Sequence, residues 1–125
     1  MRVAVLDDYQ AVALAMGPWD ELGDAVAVTV FTDHVAGDDA LIERLADFEV
    51  VVAMRERTPF PRARLERLPR LKLLVTTGMA NASIDLEAAR ELGIAVCGTG
   101  GLPSPTAELT WALILGLTRR VHEED

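Results

Sequence analysis

The sequence predicts an α/β fold built on a doubly wound, five-stranded parallel sheet. Three observations carry that expectation. Short β-branched runs alternate with helical patterns along the whole 125 residues. The connections between them are short, and parallel strands joined in this way need helical crossovers. The run Val50-Val51-Val52-Ala53-Met54 is apolar on both faces, as a central parallel strand is.

Each element follows from its local chemistry. Val3-Ala4-Val5-Leu6 is strand one. Gln10 to Met16 is a short helical stretch stopped by Gly17-Pro18. Ala25 to Phe31 is strand two, where valines 26, 28 and 30 alternate with Ala27 and Thr29 in the manner of an edge strand. Asp38-Asp39 opens a helix with Leu41, Ile42 and Leu45 at core spacing, and the acidic pair complements the helix dipole. Val50 to Met54 is strand three. Pro61 fits the first turn of the next helix and Pro69 ends it. Leu71 to Thr76 is strand four. Asp85 caps a helix that ends at Gly93, and Ile94 to Cys97 is strand five. Ser104-Pro105 starts the last and longest helix, with serine as cap. Five βα units with right-handed crossovers give the order 2-1-3-4-5, the flavodoxin-like arrangement, with both sheet faces covered. Residues 1–104 form the lobe and 105–125 a long apolar helix, one domain in all.

Composition excludes several functions. Half of the residues are apolar, and the net charge is −8. An acidic surface repels phosphate backbones and anionic lipid, so neither nucleic acid nor membrane is an expected partner. The one cysteine, Cys97, cannot form a disulfide within the chain, and no Cys/His cluster has metal-ligand spacing. The longest apolar stretch, Ala107 to Leu117, is too short to span a bilayer and is broken by Glu108 and Thr110. The start of the chain runs straight into a strand, without the pattern of a secretory leader, so the expected location is cytoplasmic.

In this architecture ligands bind beyond the carboxyl ends of the strands. Polar, glycine-containing segments lie there: Asp7-Asp8-Tyr9, Arg55 to Thr58, Thr76 to Asn81, and Gly98 to Gly101. The first is the one most readily explained as an ordinary exposed loop. Gly78 directly follows a central strand, where glycine lets the backbone bend and approach a ligand. Successive N–H groups there form a nest for a carboxylate, to which Arg55 on the neighbouring strand end adds charge and a forked donor. An ion pair of Arg55 with Glu56 or Asp8 explains that arginine equally well.

Other chemistries fit less well. Gly98-Thr99-Gly100-Gly101-Leu102-Pro103 imitates a dinucleotide fingerprint, but Pro103 occupies its last position and no strand follows. A receiver domain needs an aspartate after strand three and a lysine after strand five, where Met54-Arg55 and Cys97-Gly98 stand. A flavodoxin phosphate loop is absent after strand one. Cys97 reads as a buried, inert thiol, and Trp19 and Trp111 as packing residues.

The motifs together resemble the D-2-hydroxyacid dehydrogenase family, which includes phosphoglycerate and formate dehydrogenases. Four stretches carry the likeness: Val52 to Thr58; Pro69 to Gly78 followed by Asn81 to Asp85; Gly93 to Cys97; and Thr106 to Leu115. The resemblance implies that backbone N–H groups at Gly78, Met79 and Ala80 hold the carboxylate of a small 2-hydroxy or 2-keto acid. It also implies that Thr106 lies near the nicotinamide of NAD(P). Departures are Ala80 for a family glycine, Ala82-Ser83 for Asp-Asn, and Leu102 for an asparagine. In the family the long helix leads into a Rossmann domain that carries the cofactor glycines and the catalytic arginine, glutamate and histidine. These residues contain none of that machinery. The expectation is therefore a substrate-binding lobe, a fragment inactive alone, with no catalytic residue and no cofactor of its own. The alternative is a non-enzymatic binding or assembly module of the same fold.

The last helix is apolar all round, whereas a surface helix needs one apolar stripe. An exposed apolar patch of roughly 300–400 Å² is large for a monomer. Self-association through Trp111, Ile114 and Leu115, as a twofold dimer, is the expected consequence.

Overall fold

The computed structural model describes residues 1–102 and 104–123. Pro103, where the dinucleotide fingerprint breaks, and residues 124–125 of the charged tail lie outside the described residues.

Five parallel strands form one sheet in the order β2-β1-β3-β4-β5, as expected. They are β1 (Arg2–Val5), β2 (Ala27–Val30), β3 (Val50–Ala53), β4 (Leu73–Thr76) and β5 (Ala95–Gly98). The apolar Val50 run takes the centre, and the alternating valine run takes an edge. Four helices follow the last four strands: α1 (Asp38–Leu45), α2 (Arg62–Leu65), α3 (Leu86–Glu91) and α4 (Pro105–Thr118). The link from β1 to β2 is not the expected Gln10–Met16 helix. It holds two 3-10 turns, Ala13–Ala15 and Trp19–Leu22. Ala11 is left-handed at φ 53, and the Asp8 carboxylate takes the Ala13 N–H, so no α-helix can propagate through this segment.

Register assigns each face. Ala4, Val51, Leu74 and Val96 stand in one row across the sheet, and Val3, Val50, Leu73 and Ala95 in a row on the opposite face. The first face carries the core. Leu41 and Leu45 of α1, Leu65 of α2, and Ala88 and Ala89 of α3 close over Ala4, Val51, Ala53 and Leu74, with Phe48 and Phe60 filling the ends. Arg64 and Arg67 bind Asp38 and Asp39, so the acidic start of α1 is met by cations as well as by its dipole. On the amino side of the sheet, a hydrogen bond and charge from Lys72 hold the Glu49 carboxyl below its ordinary value.

The ends of α3 behave as the sequence implies. Asp85 accepts the Ala88 N–H at 2.9 Å. Gly93, at φ 72, ends the helix, with Gly93 N–H bonded to Arg90 O and Ile94 N–H to Ala89 O. Substituting Asp85 by alanine is expected to cost about 1 kcal/mol, read as a lower urea midpoint with an unchanged slope.

The second face departs from expectation. The β1–β2 link covers β1, where Val3 and Val5 are buried, but cover thins toward β5. Val52, Leu73 and Val75 are half-buried, while Ala95 and Cys97 are exposed. The expected burial of Cys97 is thus overturned, because no described helix lies over that edge. α4 does not supply one, since none of its described residues is buried. Ser104 is already helical (φ −83, ψ −29) and its hydroxyl makes no capping bond, so the serine cap is not realised. Trp111 is 63% exposed and packs no core, whereas Trp19 donates to Ala13 O. No helix among the described residues is long and apolar enough to cross a membrane.

Candidate active site

The carboxyl ends of β1, β3, β4 and β5 form one rim, held by side chains from different loops. Asn81 is its central tie. Its Nδ2 donates to Arg55 O at 2.7 Å and to Thr76 Oγ1 at 3.0 Å, joining the ends of β3 and β4. Its Oδ1 accepts from the Ser83 backbone and hydroxyl, which fixes the turn into Ile84. Arg55 has the left-handed φ of 57, a conformation that costs a non-glycine residue energy and persists only where neighbours enforce it. Its N–H donates to Thr77 Oγ1 at 3.0 Å.

That geometry brings Arg55 to the predicted loop. The Arg55 guanidinium lies directly over Gly78, where a Cβ would collide with Nη1. Gly78 has φ 142, a backbone open only to glycine, so the residue is required twice over. The Arg55 side chain is 63% exposed, with a loose 3.8 Å ion pair to Glu56 Oε2. No ion pair joins Arg55 to Asp8 among the described residues, and Asp8 Oδ2 accepts the Ala13 N–H. Arg55 therefore makes a weak ion pair with Glu56 and lies over the Gly78 loop.

The proposed nest of three N–H groups is narrower than expected. Gly78 N–H donates to Thr99 Oγ1 at 2.9 Å. The Met79 and Ala80 N–H groups have no acceptor among the described residues, and both residues are exposed. A mostly apolar hollow of about 330 Å³ adjoins them, bounded by Ile84, Leu86 and Val96. Among described residues no group of three or more His, Cys, Asp or Glu side chains could hold a metal.

Gly98 and Thr99 fix the loop from the β5 side. Thr99 N–H donates to Thr76 O and Gly78 O, and its hydroxyl takes Gly78 N–H. A Cβ on Gly98 would come within 2.7 Å of Gly78 O and 2.9 Å of Met79 O. Gly98 thus serves close packing of two loops, and the Thr99 amide is not free for a pyrophosphate. These residues do not fit a dinucleotide site.

The first loop is not the exposed segment the sequence suggests. Asp7 and Asp8 are both buried, Asp7 at 2% exposure. Asp7 Oδ1 lies 2.8 Å from His34 Nδ1, and its Oδ2 accepts from Thr58 Oγ1 at 2.6 Å. Arg57 Nη1 donates to Asp7 O at 2.7 Å while its guanidinium stacks 4.6 Å from the Tyr9 ring centroid. One buried carboxylate therefore ties the ends of β1, β2 and β3. Nothing in local sequence marks the set, whose members stand 27 and 51 positions from Asp7. Thr106 is exposed on the first turn of α4. Its carbonyl accepts from Thr110 Oγ1, and among the described residues no hydrogen bond links it to the rim.

Comparison with known proteins bears on this arrangement. The profile of the D-isomer specific 2-hydroxyacid dehydrogenases, catalytic domain, matches residues 3–123. Glyoxylate reductase of Aeropyrum pernix is 47% identical over 62 residues, covering 49% of this chain and 18% of that protein. The crystal structure of phosphoglycerate oxidoreductase from Vibrio cholerae superposes with a TM-score of 0.85 at 38% identity, over 99% of this chain and 41% of that one. D-Lactate dehydrogenase of Aquifex aeolicus, solved with NAD and lactic acid, has a TM-score of 0.67 at 23% identity, over 97% of this chain and 36% of that one. That last likeness speaks for the fold alone. The chain thus spans well under half the length of the relatives it matches.

Proposed function

The chain belongs to the D-isomer specific 2-hydroxyacid dehydrogenase family, and from that premise we propose that it is the substrate-binding lobe of an NAD-dependent enzyme acting on a small 2-hydroxy or 2-keto acid. The observation that carries the reading is the rim loop: a guanidinium held over Gly78 beside two N–H groups, of Met79 and Ala80, that have no acceptor among the described residues. A carboxylate seated there receives two backbone donors and one charged fork, the combination suited to a planar anion. Gly78 supplies the approach rather than a donor. The net charge of −8 works against an anion at long range, so recognition depends on these short contacts.

Such a site binds and orients. It holds the carboxylate so that the adjacent carbon faces a hydride donor, and it leaves the proton on the hydroxyl to an acid–base group. His34, paired with Asp7 Oδ1 at 2.8 Å, lies on the β1–β2 side of the rim and makes no hydrogen bond to the Gly78 loop among the described residues. The nicotinamide and the acid–base residues are supplied from outside this lobe, and Thr106 is the one position assigned near the nicotinamide. The 125 residues as an isolated polypeptide are therefore expected to show no turnover. The unpaired, exposed Cys97 accords with a reducing compartment such as the cytoplasm.

The test is a titration of the 125-residue protein with glyoxylate, followed by amide NMR. Met79 and Ala80 should shift at millimolar ligand, and Arg55→Gln should weaken binding about 10- to 100-fold, the range for a hydrogen bond to a charged group. Unmoved Met79 and Ala80 amides at tens of millimolar would sink the proposal and favour a non-enzymatic assembly module.

A further inference from the structure

The hollow beside the 78–80 loop has a lining of one chemical kind. Ile84 and Leu86 at the start of α3 and Val96 of β5 give it apolar walls, and Ala82 and Gly98 add small ones. Its volume of about 330 Å³ is at the lower end of the roughly 300–1,000 Å³ that small-molecule sites span. The two polar side chains in the lining are already engaged. Asn81 Nδ2 donates to Arg55 O and Thr76 Oγ1, and its Oδ1 accepts from the Ser83 N–H and hydroxyl. No charged side chain among the described residues lines the hollow.

The sheet order sets the hollow against the carboxylate donors. Met79 and Ala80, whose N–H groups have no acceptor among the described residues, are themselves part of its lining. Their loop follows β4, which lies between β3 and β5. Arg55 follows β3 and stands over Gly78, while Gly98 ends β5 and packs against the Gly78 and Met79 carbonyls. An acid held by the Met79 and Ala80 amides thus has the guanidinium toward β3 and the hollow toward β5.

We propose that the hollow receives the side chain of the acid, so that the lobe is built for aliphatic 2-keto and 2-hydroxy acids and against those ending in a second anionic group. The inference rests on the substrate reading above and names the class within it. A methylene that enters displaces water that these walls cannot hydrogen-bond. A carboxylate or phosphate that enters gives up its hydration and meets no cation, only a carboxamide whose bonds are spent.

The test is a series of acids titrated against the 125-residue protein and followed by the Met79 and Ala80 amides: pyruvate, 2-oxobutyrate, 2-oxovalerate and 2-oxohexanoate. Affinity should rise about fourfold with each methylene. 2-Oxoglutarate, equal in carbon count to 2-oxovalerate, should bind about tenfold more weakly or worse in about 0.5 M salt, which screens repulsion by the acidic chain. Leu86→Ser removes an apolar wall at an exposed position and should cut the step per methylene to below about twofold. Ala82→Leu, which fills the hollow from an exposed position, serves if that variant unfolds. Arg55→Gln should weaken every member alike and leave the step intact, because the cation acts on the carboxylate they share. Equal affinities along the series, or 2-oxoglutarate binding as well as 2-oxovalerate, overturn the proposal and leave the carboxylate site standing. A gradient unchanged by Leu86→Ser overturns it too, since the chain then lies elsewhere. Amides of Met79 and Ala80 unmoved by every acid remove the carboxylate site, and the role of the hollow with it.

Discussion

Replacing Asp7 with alanine is expected to lower the unfolding free energy by about 3 kcal/mol. The carboxylate is 2% exposed and accepts from Thr58, itself buried, and from His34 at the mouth of the network. Alanine leaves the Thr58 hydroxyl without a partner in a site water does not reach, which costs about 1–3 kcal/mol. Asp7 also has a left-handed backbone at φ 57. Aspartate and asparagine tolerate that region, and alanine pays about 1–2 kcal/mol more. Asp7→Asn is the control. It keeps an acceptor for Thr58 and the same backbone preference, so its loss should be nearer 1 kcal/mol. Arg57 hangs on the Asp7 carbonyl, so the alanine variant should also loosen the Arg55–Thr58 turn, seen as faster amide exchange there. Urea unfolding decides the matter: a loss below 0.5 kcal/mol for Asp7→Ala would mean that the three loops are held by something else.

What could be read from the sequence was local or repeated along the chain. The Val50 run declared a central strand because a strand buried on both faces must be apolar throughout. Asp85 and Gly93 declared the two ends of α3 because caps act over three or four residues. The family likeness was legible because its motifs recur in order over nearly the whole chain, and it holds over residues 3–123. What escaped depended on register and on cover. Asp7 reads as a loop residue until the sheet sets β1 beside β3 and brings Thr58 to it. Gly78 was legible as a turn, but the loss of its N–H to Thr99 follows only from the pairing of β4 with β5. Cys97 was read as a buried, inert thiol because no base stands beside it in sequence, and its exposure comes from the thin cover over β5. The α4 surface was visible in composition alone, since a helix without a polar side needs no tertiary information to stand out.

Gly98→Ala is expected to abolish glyoxylate binding while the protein stays folded. The added methyl would lie 2.7 Å from Gly78 O and 2.9 Å from Met79 O, both backbone atoms that no side-chain rotation can move. Relief requires the 78–80 loop to retreat from β5. That retreat breaks the bonds that set the loop, Thr99 N–H to Gly78 O and Gly78 N–H to Thr99 Oγ1. Overpacking of this kind costs about 1–3 kcal/mol of stability, which a folded domain survives. Binding is less tolerant, because the Met79 and Ala80 N–H groups must converge on one carboxylate and a displacement near 1 Å removes that convergence. Gly100→Ala is the matched control: its Cβ would meet nothing within 4 Å, so it adds the same methyl without the collision. The expected pattern is a loss of the Met79 and Ala80 shifts for Gly98→Ala and their retention for Gly100→Ala. Equal binding by both would show that the carboxylate does not rest on this loop.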